Sequence, residues 1–442
     1  METGNGQGAC GIADAAKPLG LNVESFDESG LTVDEEGGVT SALGFRAAGV
    51  HAGFRADPDR LDFALVAADE ACPCAAVFTQ NVFCAAPVMV SRDHLDGTSY
   101  GMARAVIVNS GNANAATGLI GMESARRSAG LAGDALGCPA REVLVASTGV
   151  IGAHLPISPF ETGLPRAFEA LSVKGGHDAA RAIMTTDTRP KHVAVSFSGE
   201  GIGYPGCTFT VGGMAKGSGM IMPNMATMIA VITTDAPLFP DLAHETLSRA
   251  VGRSFNRVTV DSDTSTNDSC FLFASGAAAP ADVPFGRGSA ACDLFERALL
   301  KVCTYLARLM ATDGEGATRL VIVRVAGAAS EEDADRAART VANSPLVKTA
   351  VYGHDANWGR IAAALGRSGA RFFQENVAID IMGLPVCRRG LTVAFDEDEA
   401  LRRFERPAVD IDIDLGAGLH SSMMWTCDFS HEYVTINGEY RT

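Results

Sequence analysis

Gly212-Gly-Met-Ala-Lys-Gly-Ser-Gly-Met-Ile-Met-Pro-Asn-Met-Ala-Thr-Met228 is the most unusual stretch of the chain. Strand-forming runs flank it, Thr208–Val211 before and Met228–Ile232 after. It is not a phosphate loop. Its lysine precedes Gly217-Ser-Gly219, and the order Gly-x-x-x-x-Gly-Lys-[Ser/Thr] is absent. One reading is a strand-to-strand connection whose glycines serve sterics alone. Another makes chemical use of Thr227, which stands between small Ala226 and an apolar strand. Its hydroxyl can attack the preceding carbonyl, and an N→O acyl shift followed by hydrolysis then cuts the chain. Thr227 becomes a new N-terminus whose α-amine, with a reference pKa of about 7.7–8.0, is a suitable base for its own hydroxyl.

A nucleophile of this kind needs donors for the developing oxyanion. Glu142-Val-Leu-Val-Ala146 reads as a strand that ends in Ser147-Thr-Gly149, where the Thr148 hydroxyl and the Gly149 N–H can converge. An ordinary turn has the same composition.

Further out, strands and helices mix along the whole chain. Ala64–Val66, Ala75–Thr79 and Ala105–Asn109 read as strands, the last ending in the polar turn Asn109-Ser-Gly-Asn-Ala-Asn114. Ile120–Leu136 reads as a small-residue helix. Phe295, Ala298, Leu299, Val302, Leu306 and Leu309 recur at helical spacing, as do Ala334, Ala337, Ala338 and Val341. Leu320–Val325 is a buried strand, Val409–Ile413 alternates with aspartates as a half-exposed one, and Tyr433–Ile436 is a final strand. The expectation is an α/β protein. Regular structure starts near Gly38, after a polar, acidic extension over residues 1–37 without the basic and apolar regions of a signal peptide.

Composition narrows the function. The 36 Lys and Arg stand against 52 Asp and Glu, and a net charge of -16 disfavours nucleic acid and anionic membranes. No apolar run approaches the roughly 18–20 residues of a membrane span. The 11 cysteines are scattered, which suits reduced thiols and the cytoplasm. Cys72-Pro-Cys74 misses the Cys-x-x-Cys spacing of redox and zinc sites. His51, His354 and His431 lack the Gly-x-Ser-x-Gly elbow of a hydrolase triad. Asp261–Asp268 lacks the glycine and glutamate of a calcium loop, so it reads as structure or site lining, and no metal is expected.

Ala215-Lys-Gly-Ser-Gly-Met-Ile-Met-Pro-Asn-Met-Ala-Thr-Met228 resembles the processing site of the ornithine acetyltransferase family. So do Asn109–Asn114, Ser147–Gly152, Met184-Thr-Thr-Asp-Thr188, Ser254-Phe-Asn256, Asp263–Asp268, Asp313-Gly-Glu-Gly-Ala-Thr318, Asn343–Ala350, Asp355–Arg360 and Tyr433–Asn437, in order over residues 38–442. The resemblance implies a layered α/β sandwich of the kind shared with DmpA-type aminopeptidases. It implies self-cleavage between Ala226 and Thr227 into an α chain, 38–226, and a β chain, 227–442, assembled as two α and two β chains. It implies ping-pong transfer of acetyl from N2-acetyl-L-ornithine to L-glutamate through an acetyl-Thr227 ester. Thr148 and Gly149 carry over as the oxyanion hole, and Thr185, Lys216, Thr227, Glu315, Asn437 and Thr442 as substrate contacts. No cofactor is implied. Some family members also take acetyl-CoA as donor, and no short motif separates them. The alternative is a self-processing amidase or aminopeptidase of the same fold. The family pattern has glycine where Ser262 and Thr426 stand, which puts local turn geometry in question.

Overall fold

A computed structural model describes residues 17–23, 27–222, 228–279 and 283–439. The chain divides into two compact units. The larger comprises Ser25–Leu320 and Met424–Thr442, and its frame is a nine-stranded sheet. The strands are β1 (Leu31–Asp34), β2 (Phe45–Val50), β3 (Phe63–Phe78), β4 (Tyr100–Asn112), β5 (Val143–Val150), β6 (Lys191–Ser198), β7 (Thr208–Lys216), β8 (Ile229–Thr234) and β9 (Ser269–Ala274). They lie in the order β1-β6-β7-β8-β9-β3-β4-β5, with β2 paired to β3. Pairs β8–β9 and β4–β5 are parallel, and the other pairs are antiparallel.

Both faces of this sheet are covered, which explains why its inner strands read as continuous apolar runs. On β3, Ala64 and Val66 join one core while Phe63, Leu65 and Ala67 join another. On β4, Val106 and Val108 divide from Ala105 and Ile107 in the same way. The period of two along each strand thus feeds two cores. One is closed by the helices Gly118–Leu136 and Ser158–Ala170 through Ala125, Ala129, Phe160 and Leu164. The long helix Ala290–Thr312 starts at Ser289, whose hydroxyl caps Cys292 N. It covers the sheet at Gly213, where a Cβ would come within 2.8 Å of Val302 Cγ1.

The smaller unit comprises Met1–Glu24 and Val321–Met423. Its sheet contains β10 (Leu320–Ala328), β11 (Ala378–Ile381), β12 (Leu384–Arg388), β13 (Leu391–Thr392), β14 (Ala408–Asp414) and β15 (His420–Cys427). Their order is β13-β12-β11-β14-β10-β15. Among the described residues, no helix is long and apolar enough to cross a membrane, and ten cysteines are free thiols.

Several expectations change. Regular structure begins before Gly38, because Leu31–Asp34 forms β1 and pairs with β6. Ala64–Val66 and all of Ala75–Thr79 but its last residue belong to one strand, β3, in which the register shifts between Ala67 and Cys72, so the polar residues there mark an irregularity and not a break. The expected final strand at Tyr433–Ile436 is part of a helix, His431–Glu439. A run of four residues cannot distinguish strand from helix by periodicity. Packing decides: Tyr433 and Ile436 share the half-buried face, and Tyr433 stacks on Phe429 with ring centroids 4.6 Å apart. Ser262 has φ of +71°, the left-handed region that glycine favours.

Candidate active site

The first five residues of the glycine-rich stretch are strand. Gly212–Lys216 completes β7, and Lys216 pairs with Ile229 at the start of β8. A Cβ on Gly212 would lie 2.0 Å from Gly38 O, so the glycine is demanded by close approach of another backbone. Lys216, the last residue of β7, lines a cavity of about 150 Å³. Lys216 is only 5% exposed.

Thr148 and Gly149 line the same cavity. They are not a turn after the strand but part of β5, paired with Ser110 and Gly111 of β4. Gly149 has φ of +133°, and a Cβ there would lie 2.3 Å from Gly111 C. No other residue fits, so the backbone at this cavity wall is presented without a side chain.

Thr185 follows the helix Gly176–Ala182 and is held by its backbone: Thr185 N donates to Asp187 Oδ2 at 3.0 Å. Glu315 lies in the turn after the long helix, with its N–H donating to Ser218 O at 3.0 Å. Gly219 makes room for it, since a Cβ there would lie 2.3 Å from the Glu315 carboxyl. Asn437 Nδ2 donates to Glu315 Oε2 at 2.8 Å. The C-terminal helix is docked beside Glu315 by Ser430 Oγ, which donates to Gly316 O at 2.6 Å. Thr148, Gly149, Thr185, Lys216, Glu315 and Asn437 thus meet at one cavity. Ala226, Thr227 and Thr442 lie outside the described residues. The chain re-enters at Met228, directly before β8.

Asp261, Asp263, Ser265, Thr266 and Asn267 also line the cavity, as the site-lining reading of this segment expects. Asp261 accepts from Ile221 N at 2.8 Å, which closes the loop after Lys216. Asn267 Nδ2 donates to Ser147 O at 2.9 Å and so ties the Asp261–Asp268 segment to β5.

The sequence reading missed a buried charge network below the cavity. Lys191 Nζ lies 2.5 Å from Asp187 Oδ1 and 2.5 Å from Asp313 Oδ2, and its side chain is fully buried. Asp187 Oδ1 also accepts from Gly217 N at 2.7 Å. Asp313 accepts from Thr188 N at 3.1 Å, and its backbone carbonyl accepts from Ser218 Oγ at 2.6 Å. One cation therefore joins the backbones that carry Thr185, Lys216 and Glu315. A signal was present: Lys191 is in phase with Val193, Val195 and Phe197, the inward residues of β6.

Burial alone would push the Asp187 carboxyl up, but Lys191 and Lys216 overcome this and hold it well below the usual carboxylate range. Burial pulls the Lys216 ammonium below its ordinary value, reinforced by Lys191 and opposed by Asp187, Asp268 and Glu315. The cavity accordingly offers a cation and a carboxylate at low exposure beside a glycine backbone, a combination suited to a small zwitterion.

Known proteins match this chain over most of its length. The model of the ArgJ family matches residues 46–442. The "Arginine biosynthesis bifunctional protein ArgJ" of Chlorobaculum tepidum is 48% identical over 399 residues, 90% of this chain and 96% of that protein. The protein of the same name from Symbiobacterium thermophilum is 48% identical over 408 residues, 92% of this chain and 99% of that protein. A crystal structure of ornithine acetyltransferase complexed with ornithine, from Mycobacterium tuberculosis, is 39% identical with a TM-score of 0.40, covering 44% of this chain and 98% of that one.

Proposed function

The chain belongs to the ArgJ family, and from that premise we propose that it is an acetyltransferase of arginine biosynthesis, moving acetyl from N2-acetyl-L-ornithine to L-glutamate. The observation that carries this reading is the placement of Lys216 and Glu315, 5% and 7% exposed, in one cavity with Thr148 and Gly149. Lys216 neutralises the α-carboxylate common to both substrates. Glu315, braced by Asn437, pairs with the δ-ammonium of ornithine. The Thr148 hydroxyl and the Gly149 backbone stabilise the oxyanion as each tetrahedral intermediate forms.

The nucleophile is Thr227, freed by cleavage after Ala226. Its α-amine takes the hydroxyl proton, the hydroxyl attacks the acetyl carbonyl, and L-ornithine leaves with the proton. L-glutamate then attacks the acetyl ester, and N-acetyl-L-glutamate departs. Cleavage gives an α chain ending at Ala226 and a β chain spanning 227–442, which assemble as two of each. Thr185 and Thr442 complete the substrate contacts. The relatives' description as bifunctional supports acetyl-CoA as a second donor.

A two-donor assay tests the reading. Acetylornithine with glutamate yields ornithine and acetylglutamate in equal amounts, and acetyl-CoA with glutamate yields acetylglutamate alone. Ornithine release that ignores glutamate would instead identify an amidase. Glu315→Gln is expected to raise the KM for acetylornithine about tenfold, because it removes a charge-assisted contact of about 1.5–3 kcal/mol. The KM for glutamate changes less, since that substrate has no side-chain cation. Steady-state kinetics with each substrate varied reads the difference, and equal changes in both constants would contradict the assigned role.

A further inference from the structure

The proposed transfer asks one cavity to take two side chains of opposite charge. N2-acetyl-L-ornithine carries a δ-ammonium and L-glutamate a γ-carboxylate, while the α-carboxylate is common to both. Among the described residues, the charged groups that line the cavity besides Lys216 are Asp261, Asp263 and Glu315, all of them acidic. An ammonium is attracted to such a set. A further carboxylate is repelled unless a neutral donor meets it.

Two polar side chains of the helix His431–Glu439 line the cavity with Glu315, those of Tyr433 and Asn437. The Asn437 amide has two protons, and both are spent. Its Nδ2 donates to Glu315 Oε2 at 2.8 Å and to Tyr433 O at 3.0 Å. The Tyr433 phenol lies in the field of the Asp261, Glu315 and Asp263 carboxylates, and its hydroxyl has no hydrogen-bond partner among the described residues.

The ring is held in place. It stacks on Phe429 with centroids 4.6 Å apart and 21° between the planes. The Tyr433 backbone presses on the turn that carries Glu315: a Cβ on Gly316 would lie 2.4 Å from Tyr433 N, and Gly316 has φ of +68°. Glycine at 316 therefore brings helix and carboxylate together. Burial, reinforced by Asp261, Glu315 and Asp263, pushes the phenol above its ordinary value. It stays protonated at neutral pH, a neutral hydroxyl set among acceptors.

We propose that Tyr433 is a specificity-determining residue for the acceptor: its hydroxyl donates to the side-chain carboxylate of L-glutamate at the Glu315 end of the cavity. This rests on the acetyltransferase reading. A phenol hydroxyl can donate or accept. It turns its proton towards glutamate and its lone pair towards the ornithine side chain as one substrate follows the other. Ornithine keeps Glu315 as its charged partner and loses little without Tyr433. Glutamate finds no substitute in Asn437, whose protons are spent.

Tyr433→Phe in the full-length enzyme tests this. It keeps the ring and its stack on Phe429 and removes the hydroxyl alone. The KM for glutamate is expected to rise at least about tenfold, the effect of losing a hydrogen bond to a charged group. The KM for acetylornithine should stay within about threefold. L-Norvaline, in which a methyl replaces the γ-carboxylate, supplies a readout that a merely structural role would not move. Both proteins should use it as acceptor with the same kcat/KM, so the preference for glutamate over norvaline falls at least about tenfold in the variant. Equal changes for glutamate and norvaline, or no change for either, overturn the proposal.

Should Tyr433→Phe fail to fold, 3-fluorotyrosine at position 433 supplies a second readout. Glutamate should shift its fluorine resonance and norvaline should not. A resonance that ignores glutamate, or answers both alike, overturns the proposal. A wild-type protein that forms no acetylglutamate from acetylornithine and glutamate defeats the acetyltransferase reading, and this inference with it. An active wild type beside a Tyr433→Phe variant with unchanged KM for glutamate defeats this inference alone.

Discussion

Thr227→Ala remains a single chain of 442 residues and transfers no acetyl. Removing the hydroxyl eliminates the group that attacks the Ala226 carbonyl, so the precursor is never cut. It also eliminates the ester-forming oxygen, so the ping-pong cycle has no first step. The expected loss in kcat is at least about 10⁴-fold, in line with removal of a nucleophile from other covalent enzymes. Thr227→Ser should be cut and keep part of the activity, because the hydroxyl survives. Denaturing electrophoresis with intact mass reads the cut, and ornithine release reads the transfer. An uncut wild-type protein that is nevertheless active would rule out the mechanism. The substitution leaves Thr148, Gly149, Lys216 and Glu315 in place, so binding of ornithine should persist and separate loss of chemistry from loss of the site.

Lys191→Met is expected to have the largest effect on stability. It leaves Asp187 and Asp313, with side chains 0% and 4% exposed, facing each other without their shared cation. Breaking one partner out of a buried ion pair costs about 3–5 kcal/mol, because the remaining charge is neither solvated nor neutralised. Chemical denaturation should show a lower midpoint with an unchanged slope. Substrate affinity should fall as well, since Asp187 holds Thr185 N and Gly217 N, next to Lys216.

The pH dependence follows from the sign of the Asp187 shift. Its folded-state carboxyl lies below the ordinary value, so its contribution is fully present above the usual carboxylate range. That contribution is lost as pH falls through and below about 4. In Lys191→Met this contribution shrinks and the acid dependence becomes shallower. A variant as stable as wild type would show that the network holds nothing together.

Much of the site was legible because its chemistry is tied to local spacing. The lysine before Gly217-Ser-Gly219 and the carboxylate of Asp313-Gly-Glu-Gly316 are short-range patterns, and both side chains line the cavity. Lys191 was missed because a lone lysine at a strand start carries no motif, and only its phase with Val193 and Val195 hints at burial. Asp268 was read with its neighbours as structure or site lining.

By itself the sequence determined the α/β alternation, the long helix Ala290–Thr312, the family and most of the residues that face the cavity. These depend on periodicity within one element and on side-chain type, which the chain carries locally. Tertiary structure alone decided that Thr148 and Gly149 lie within a strand, that Tyr433–Ile436 is helical, and that one buried lysine joins three cavity-lining segments. These features depend on contacts between distant parts of the chain. Gly149 needs Gly111 beside it, Asn437 needs Glu315 across 122 residues, and Lys191 needs Asp313 just as far away. Such contacts form only when the sheet brings its strands into register, so no window of sequence can report them.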